Sequence, residues 1–175
     1  LIRGLKGSTK LVSLSIESNN IDASGFEIIS TTTTLSNLIH LNIQNNNGGD
    51  EGMEHLSNSS TLTQLQVLNV GNNKIGPKGF QSFAQRKLLL NHLTYLHVGN
   101  NNGGDEGIIA FSQGQTLPKL DFLCLNNNQI GENGGIGLLK SANFPQLNYL
   151  DIRYNHFDLK TQRLLTGKYC KPTQL

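Results

Sequence analysis

The sequence predicts an α/β solenoid, in which short parallel strands line one face of a curved array and helices line the other. Three observations predict this fold. One apolar pattern returns along the whole chain, each copy contains a strand-like alternation, and the segments between copies carry apolar residues at helical spacing. The pattern reads L-x-x-L-x-L-x-x-N, with Ile or Val at some Leu positions, and its six copies start at residues 11, 38, 65, 93, 120 and 147. A spacing of 27 or 28 residues indicates a repeat architecture, because a fixed period of roughly 20–50 residues is its usual signature.

Each copy of the pattern contains a predicted strand. Its second and third apolar positions alternate with other residues, so these two side chains point into the core and their neighbours point outward. The strands are predicted at residues 13–17, 40–44, 67–71, 95–99, 122–126 and 149–153.

The segment after each strand has helical character, because its apolar residues recur at helical spacing. These residues are Phe26, Ile28, Ile29, Met53, Leu56, Phe80, Phe83, Ile108, Ile109, Phe111, Ile136, Leu138, Leu139, Leu164 and Leu165. Each segment except the last ends in an apolar residue three positions before the next copy, at Leu35, Leu62, Leu90, Leu117 or Phe144. A helix is about 10 Å wide, whereas strands lie about 4.8 Å apart, so stacked coils must splay on the helical side and the array curves.

Residues 1–10 are predicted to be the helical second half of a further repeat, because Leu11 begins a new copy of the pattern. The chain begins without Met, and a solenoid normally covers the end of its core with a polar cap. We therefore expect one repeat domain over residues 1–175, formed by this partial repeat and the six full ones. We also expect the domain to be monomeric and to belong to a longer array.

The pattern and its period resemble those of leucine-rich repeat proteins. The continuation N-x-I-G-x-x-G at residues 73–79 and 128–134 is similar to that of the ribonuclease-inhibitor-like subclass. The resemblance implies a right-handed leucine-rich repeat solenoid, a horseshoe segment with parallel strands on the concave face and helices on the convex face. Gly48 and Gly103 stand where the odd-numbered repeats have Ile, and Thr161 stands where a helix-opening Gly is expected. We expect these departures to affect local packing and not the fold.

The Asn that ends each copy is interpreted as scaffold. An inward amide can satisfy a backbone donor and a backbone acceptor in the turn after the strand, where strand partners are missing. This Asn ladder consists of Asn19, Asn46, Asn73, Asn101, Asn128 and Asn155.

The motif Gly-Gly-Asp-Glu-Gly occurs twice, at residues 48–52 and 103–107, and could be read as a metal or phosphate loop. A calcium loop needs alternating oxygen ligands and a distal Glu, and a phosphate loop needs Lys with Ser or Thr; neither pattern is present. The acidic residues fit the first turn of a helix, where the dipole favours them. No metal or cofactor is predicted.

The outward side chains of the strands should form columns on the concave face. The column before the inward pair becomes aromatic in the last three repeats, and Gly71 and Gly99 are expected to leave access to this face. We predict a partner-binding site formed by Tyr95, His97, Phe122, Cys124, Tyr149, Asp151 and Arg153.

His97, Cys124 and Asp151 fall in one row and invite comparison with a thiol-dependent triad or a zinc site. A triad needs His between the nucleophile and the carboxylate, whereas here Cys124 is in the middle. We therefore predict no catalytic residues, no metal ligands and no enzyme, and interpret these side chains as part of a binding face.

Composition narrows the class of partner. The net charge of +2 and a charged fraction of 15% predict neither a nucleic-acid footprint nor a membrane-surface patch. Two scattered cysteines do not form a disulfide framework, and the chain shows no apolar run long enough to span a bilayer and no signal segment. A cytoplasmic location is expected, although the sequon at residues 58–60 points weakly outside the cell.

The predicted function is a protein–protein interaction module, or scaffold, that binds another protein on its concave face. One alternative is regulation of a GTPase, which the family resemblance suggests; Arg3, Arg86, Arg153 or Arg163 could then act as an arginine finger. Another alternative is ligand or substrate recognition for a ubiquitin ligase or an immune-type receptor, which would require a further domain.

Overall fold

The computed structural model describes residues 10–85 and 91–170, and it confirms the α/β solenoid. Within these ranges the strands form one parallel sheet whose order follows the chain. The strands are β1 (Ser13–Ser15), β2 (His40–Asn42), β3 (Val67–Asn69), β4 (Tyr95–His97), β5 (Phe122–Cys124) and β6 (Tyr149–Asp151). The predicted partial repeat, apart from Lys10, and the predicted helix-ending Leu90 lie outside the described residues.

Each strand begins at its predicted residue but ends two residues earlier. The parallel pairing continues beyond the strand through single bonds, as where the Ile16 N–H donates to the Asn42 carbonyl at 2.9 Å. Regular pairing stops because the chain then turns toward the helix, and Ser18 already has a positive φ of 59°.

A helix follows every strand on the opposite layer of the described solenoid. The helices are α1 (Ala23–Thr31), α2 (Gly49–Ser57), α3 (Pro77–Ala84), α4 (Gly104–Gln113), α5 (Glu132–Lys140) and α6 (Leu159–Tyr169). A short 3₁₀ turn, Thr33–Leu35, follows α1.

The core lies between the sheet and the helices and runs through all the described coils. Most of the predicted apolar positions are buried in it, but Ile136 and Leu164 are 38% and 50% exposed. In α5 the buried positions are Gly134, Gly135 and Leu138. Ile136 is two residues from both Gly134 and Leu138, so it lies on the opposite, outer side of the helix.

The Asn ladder is bonded to the backbone of neighbouring coils. Asn101 Oδ1 accepts from the backbone N–H groups of Asn73 at 2.9 Å and Ile75 at 3.0 Å. Its Nδ2 donates to three backbone carbonyls at 2.9–3.3 Å, one of them in the preceding coil. Asn19 is exposed, and among the described residues its amide donates only to the Glu17 carbonyl, because β1 is the first strand of the described sheet.

Aromatic rings explain the two glycines that replace Ile. A Cβ on Gly48 would lie 2.4 Å from the Phe26 ring, and a Cβ on Gly103 would lie 2.8 Å from the Phe80 ring. In the last two repeats the arrangement is reversed, since the helix carries Gly135 and the ring belongs to Phe157 in the following turn. Three ring–glycine pairs therefore fill the same place between coils: Phe26 with Gly48, Phe80 with Gly103, and Phe157 with Gly135.

The Asp of each Gly-Gly-Asp-Glu-Gly motif caps the helix of the next repeat. Asp50 Oδ1 accepts from the backbone N–H groups of Gly76 at 2.6 Å and Gly79 at 2.8 Å. Gly76 is the N-cap of α3 and has no side chain of its own to bond there. Asp105 makes the same two bonds to α5, at 2.6 and 2.9 Å. These carboxylates thus link successive coils as well as favouring their own first turn.

Candidate functional site on the concave face

Three aromatic rings are stacked on the concave face. The pairing register of β4, β5 and β6 places Tyr95, Phe122 and Tyr149 side by side. The ring centroids are 4.4 Å apart in the first pair and 4.6 Å apart in the second, with interplanar angles of 9° and 5°. We call these three residues the aromatic column. Because their faces cover one another, the rings present mainly their edges and hydroxyl groups to the groove.

The aromatic column is partly open to solvent. Tyr149 is 47% exposed, and Tyr95 and Phe122 are half-buried. Burial raises the pKa of Tyr95 above its usual value, so its hydroxyl remains protonated and can donate a hydrogen bond at neutral pH. The same column in the first three repeats holds Ser13, His40 and Val67, so the aromatic surface belongs to the carboxyl-terminal half of the face.

A buried carboxylate holds an exposed guanidinium beside the aromatic column. Arg153 Nε donates to Asp151 Oδ1 at 2.9 Å and Arg153 Nη2 donates to Oδ2 at 2.7 Å. This bidentate bond lowers the pKa of Asp151, and it raises the pKa of Arg153. The Asp151 side chain is 6% exposed and that of Arg153 is 67% exposed. The Asp151 carboxylate therefore lies behind Arg153 and orients its guanidinium, and direct contact of Asp151 with a partner stays a prediction.

Cys124 is also covered, contrary to the predicted surface role. It is 3% exposed, and its Sγ–H lies 2.8 Å from Asn126 Oδ1 and 3.7 Å from Asp151 Oδ2. Burial raises the pKa of this thiol to about 11, so the thiolate that a nucleophile requires is scarce at neutral pH. The side chains of the neighbouring coil and of Asn126 cover the sulfur, which strand alternation does not reveal.

His97 does not complete a triad. Its Nδ1 accepts the backbone N–H of Gly99 at 3.3 Å, which leaves the proton of the neutral ring on Nε2. Burial lowers the pKa of His97, so the imidazole is neutral at pH 7. Cys124 bonds toward Asp151 and not toward His97. This arrangement lacks the nucleophile–base contact of a catalytic triad.

The sequence suggested that Gly71 and Gly99 leave access to the concave face, but the structure shows that they do not. A Cβ on Gly71 would lie 2.7 Å from His97 Nδ1, and one on Gly99 would lie 2.0 Å from Asn126 Oδ1. The space beside each glycine is therefore taken by a polar side chain of the same face. The two glycines make room for these neighbouring side chains, and they do not open a pocket among the described residues.

The sequence interpretation missed a second column, at the rim of the concave face. Its residues immediately precede the Asn ladder and have positive φ angles of 50–59°: Ser18, Asn45, Asn72, Asn100, Asn127 and Tyr154. Asn favours this left-handed conformation, and neighbouring amides bond along the rim, as where Asn127 Nδ2 donates to Asn100 Oδ1 at 3.0 Å. Tyr is uncommon in this conformation, and Tyr154 is 76% exposed next to Arg153. The Tyr in a column of Asn and Ser was the signal available in the sequence.

Other kinds of site find no support in the described part of the chain. No cluster of three or more His, Cys, Asp or Glu side chains is placed there to hold a metal ion. Among the described helices, none combines the length and apolarity needed to cross a membrane.

Comparison with known proteins identifies relatives of the repeat. A family model described as "Leucine Rich repeat" matches residues 7–27, 34–57, 61–84 and 90–112, just over half of the chain. No curated protein sequence matches.

Solved structures with the same fold include an internalin from Listeria monocytogenes, with a TM-score of 0.57 and 24% identity over 90% of this chain and 46% of that chain. They also include the actin-binding site 2 of leiomodin-1, with a TM-score of 0.55 and 16% identity over 93% of this chain and 80% of that chain. The chain thus spans about half the length of the internalin, and at these identities the likeness concerns the fold.

Proposed function

The chain belongs to the leucine-rich repeat family, and on this premise we propose that it is an interaction module whose concave face docks a partner protein. The observation that carries the proposal is the aromatic column, which is stacked, held by the sheet register and open along one edge. The leiomodin-1 structure of this fold is an actin-binding site, so a solenoid of this kind can serve as a protein-docking surface.

The chemistry of the surface favours a protein partner. Aromatic residues and Arg dominate the binding energy of many protein interfaces, especially where their conformations are fixed before binding. Tyr149 and Tyr154 supply exposed rings, and Arg153 supplies a guanidinium that Asp151 already orients. Ring edges carry partial positive charge. Together with Arg153 they fit a partner that presents aromatic faces, carbonyls or a carboxylate.

The finer features belong to the same proposal. The N-x-I-G-x-x-G continuation at residues 73–79 and 128–134 supports the ribonuclease-inhibitor-like subclass. A monomeric state and a cytoplasmic location belong to the same proposal, and the two free cysteines are consistent with a reducing compartment.

The structure offers less support for GTPase regulation. An arginine finger must reach a bound nucleotide, whereas the Nε and Nη2 groups of Arg153 are held by Asp151. Arg163 lies on α6 in the helical layer, and Arg3 and Arg86 lie outside the described residues. No specific contact among the described residues favours the receptor or ubiquitin-ligase alternative.

Replacing Tyr95, Phe122 and Tyr149 together with Ala is expected to weaken partner binding at least about 30-fold, the effect of losing roughly 2 kcal/mol from a binding hot spot. The measurement is affinity purification with each bait, mass spectrometry of the retained proteins, and titration of the partner so identified. The matched control changes Ser13, His40 and Val67 to Ala, in the same column of the first three repeats.

If the wild type and the aromatic variant retain the same partner equally, the proposed binding site on the concave face is contradicted. Because the three rings contribute to packing, Tyr154→Asn serves as a second, exposed variant; Asn already occupies the equivalent position, with the same positive φ, in four other repeats. It is expected to weaken the same interaction without changing the denaturation midpoint.

A further inference from the structure

The convex face carries an apolar groove between α4 and α5. Its volume is about 700 Å³, and its walls include Ile109, Ala110, Ile136 and Gly137. Ile136 is 38% exposed. We call this surface the α4–α5 groove. Both helices that form it lie within the described array, and it faces away from the aromatic column.

The apolar character of the groove is specific to two repeats. Ile109 and Ile136 each stand 16 residues after the start of a repeat, and the equivalent residues in the first three repeats are Glu27, Glu54 and Gln81. The equivalent residue in the sixth repeat is Arg163, so this position is apolar only in the fourth and fifth repeats. General tolerance of exposed Ile on helices does not explain two adjacent changes of the same kind.

The absence of a side chain at Gly137 shapes the groove. A Cβ there would lie 3.1 Å from Ile109 Cγ1 and 3.2 Å from Ser112 Oγ. A larger residue would therefore fill the space between the two helices. Gly in a helix interior costs about 1 kcal/mol relative to Ala, so this position sacrifices helix stability and gains an open cleft.

Charges of opposite sign stand at the two ends of the groove. Glu106 lies in the first turn of α4 and Lys140 in the last turn of α5, and both line the groove. Both are exposed, and neither forms an ion pair with another described residue. Both helices run in the same direction, and in the repeat register the two charges are seven residues apart, which is about 10 Å along the helix axes.

We propose that the α4–α5 groove docks one amphipathic helix of a partner protein. Apolar side chains of that helix enter between α4 and α5, as in other helix-in-groove interfaces. It carries a basic residue beside Glu106 and an acidic residue about two turns away beside Lys140. An anionic membrane or a nucleic acid would require cations at both ends, so the mixed charges favour a polypeptide.

Three synthetic helical peptides with the same apolar stripe test the proposal on the complete chain. At two positions seven residues apart, the first carries one Lys and one Glu, the second two Lys, and the third two Glu. We expect the mixed peptide to bind about tenfold more tightly than the others by isothermal titration calorimetry, with NMR shifts confined to residues around Ile109 and Ile136. Lys140→Glu should transfer the preference to the peptide with two Lys.

Ile136→Glu should abolish binding of the mixed peptide, whereas Gln81→Glu, the equivalent change in the third repeat, should leave it unchanged. Three results would overturn the proposal. The first is that the mixed peptide does not bind at millimolar concentration. The second is that all three peptides bind with equal affinity. The third is that none of the peptides binds but phosphatidylserine vesicles do, and that Ile136→Glu abolishes the binding of vesicles. The variants of the aromatic column are independent of these outcomes, because they lie on the opposite face.

Discussion

Replacing Asn101 with Ala is expected to lower the free energy of unfolding by about 3–5 kcal/mol. The Asn101 carboxamide accepts the backbone N–H groups of Asn73 and Ile75 and is 8% exposed. Its removal leaves these two donors, and three carbonyls, without their partner. A buried unsatisfied group costs about 1–3 kcal/mol, and partial entry of water keeps the total below the simple sum.

The measurement is the shift in free energy of unfolding from urea denaturation at constant m-value. Asn102→Ala is the matched control, because Asn102 is adjacent and exposed and its side chain makes no bond to the described residues; its effect should stay within about 0.5 kcal/mol. Equal effects of the two substitutions would show that the ladder contributes nothing specific to the scaffold.

The ring–glycine pairs predict a second large effect, in a double-mutant cycle. Phe80→Gly should destabilise the protein by about 4–6 kcal/mol, since it opens a cavity and adds Gly to a helix interior. Gly103→Phe should destabilise it by about 3 kcal/mol, because the new ring meets the ring of Phe80. The backbone of Gly103 has φ −61° and accepts any side chain.

The double substitution should be at least about 2 kcal/mol more stable than the sum of the single effects. It reproduces the native arrangement of Gly135 and Phe157, in which the ring reaches the same place from the following coil. The free energies of unfolding of the two single variants and the double variant give the coupling energy directly. Strict additivity would show that the rings and glycines pack independently.

The fold could be predicted because every repeat carries the same pattern of apolar residues and Asn. Apolar alternation located the strands to within two residues, and the ladder Asn marked every turn. Stacking by a fixed period then determines the register, so the sequence alone places Tyr95, Phe122 and Tyr149 in one column.

The differences arose where one side chain is covered by another, either two residues further along the same coil or in the next coil. Alternation assigns Cys124 and Asp151 to the outer surface of the strand, but Asn126 and Arg153 fold back over them. Gly99 looked like an opening because the position of the Asn126 amide depends on its side-chain conformation and not on the period.

Two further features of the structure could have been predicted from the sequence. Phe80 and Gly135 occupy equivalent helix positions, and Gly103 and Phe157 occupy equivalent turn positions of the following repeats. The residue is therefore large at one position wherever it is small at the other. The capping of α3 by Asp50 shows as an acidic residue one repeat before a helix whose N-cap is Gly. Each requires comparison of adjacent repeats with one another.

Hydroxyl-radical footprinting of the chain, free and bound to its captured partner, tests the concave docking site most directly. Tyr149 and Tyr154, which are 47% and 76% exposed, should lose most of their oxidation on binding, while Ile136 and Leu164 in the helical layer keep theirs. Unchanged oxidation of the two tyrosines together with protection of the helical residues would contradict the site, because the partner would then occupy the convex face.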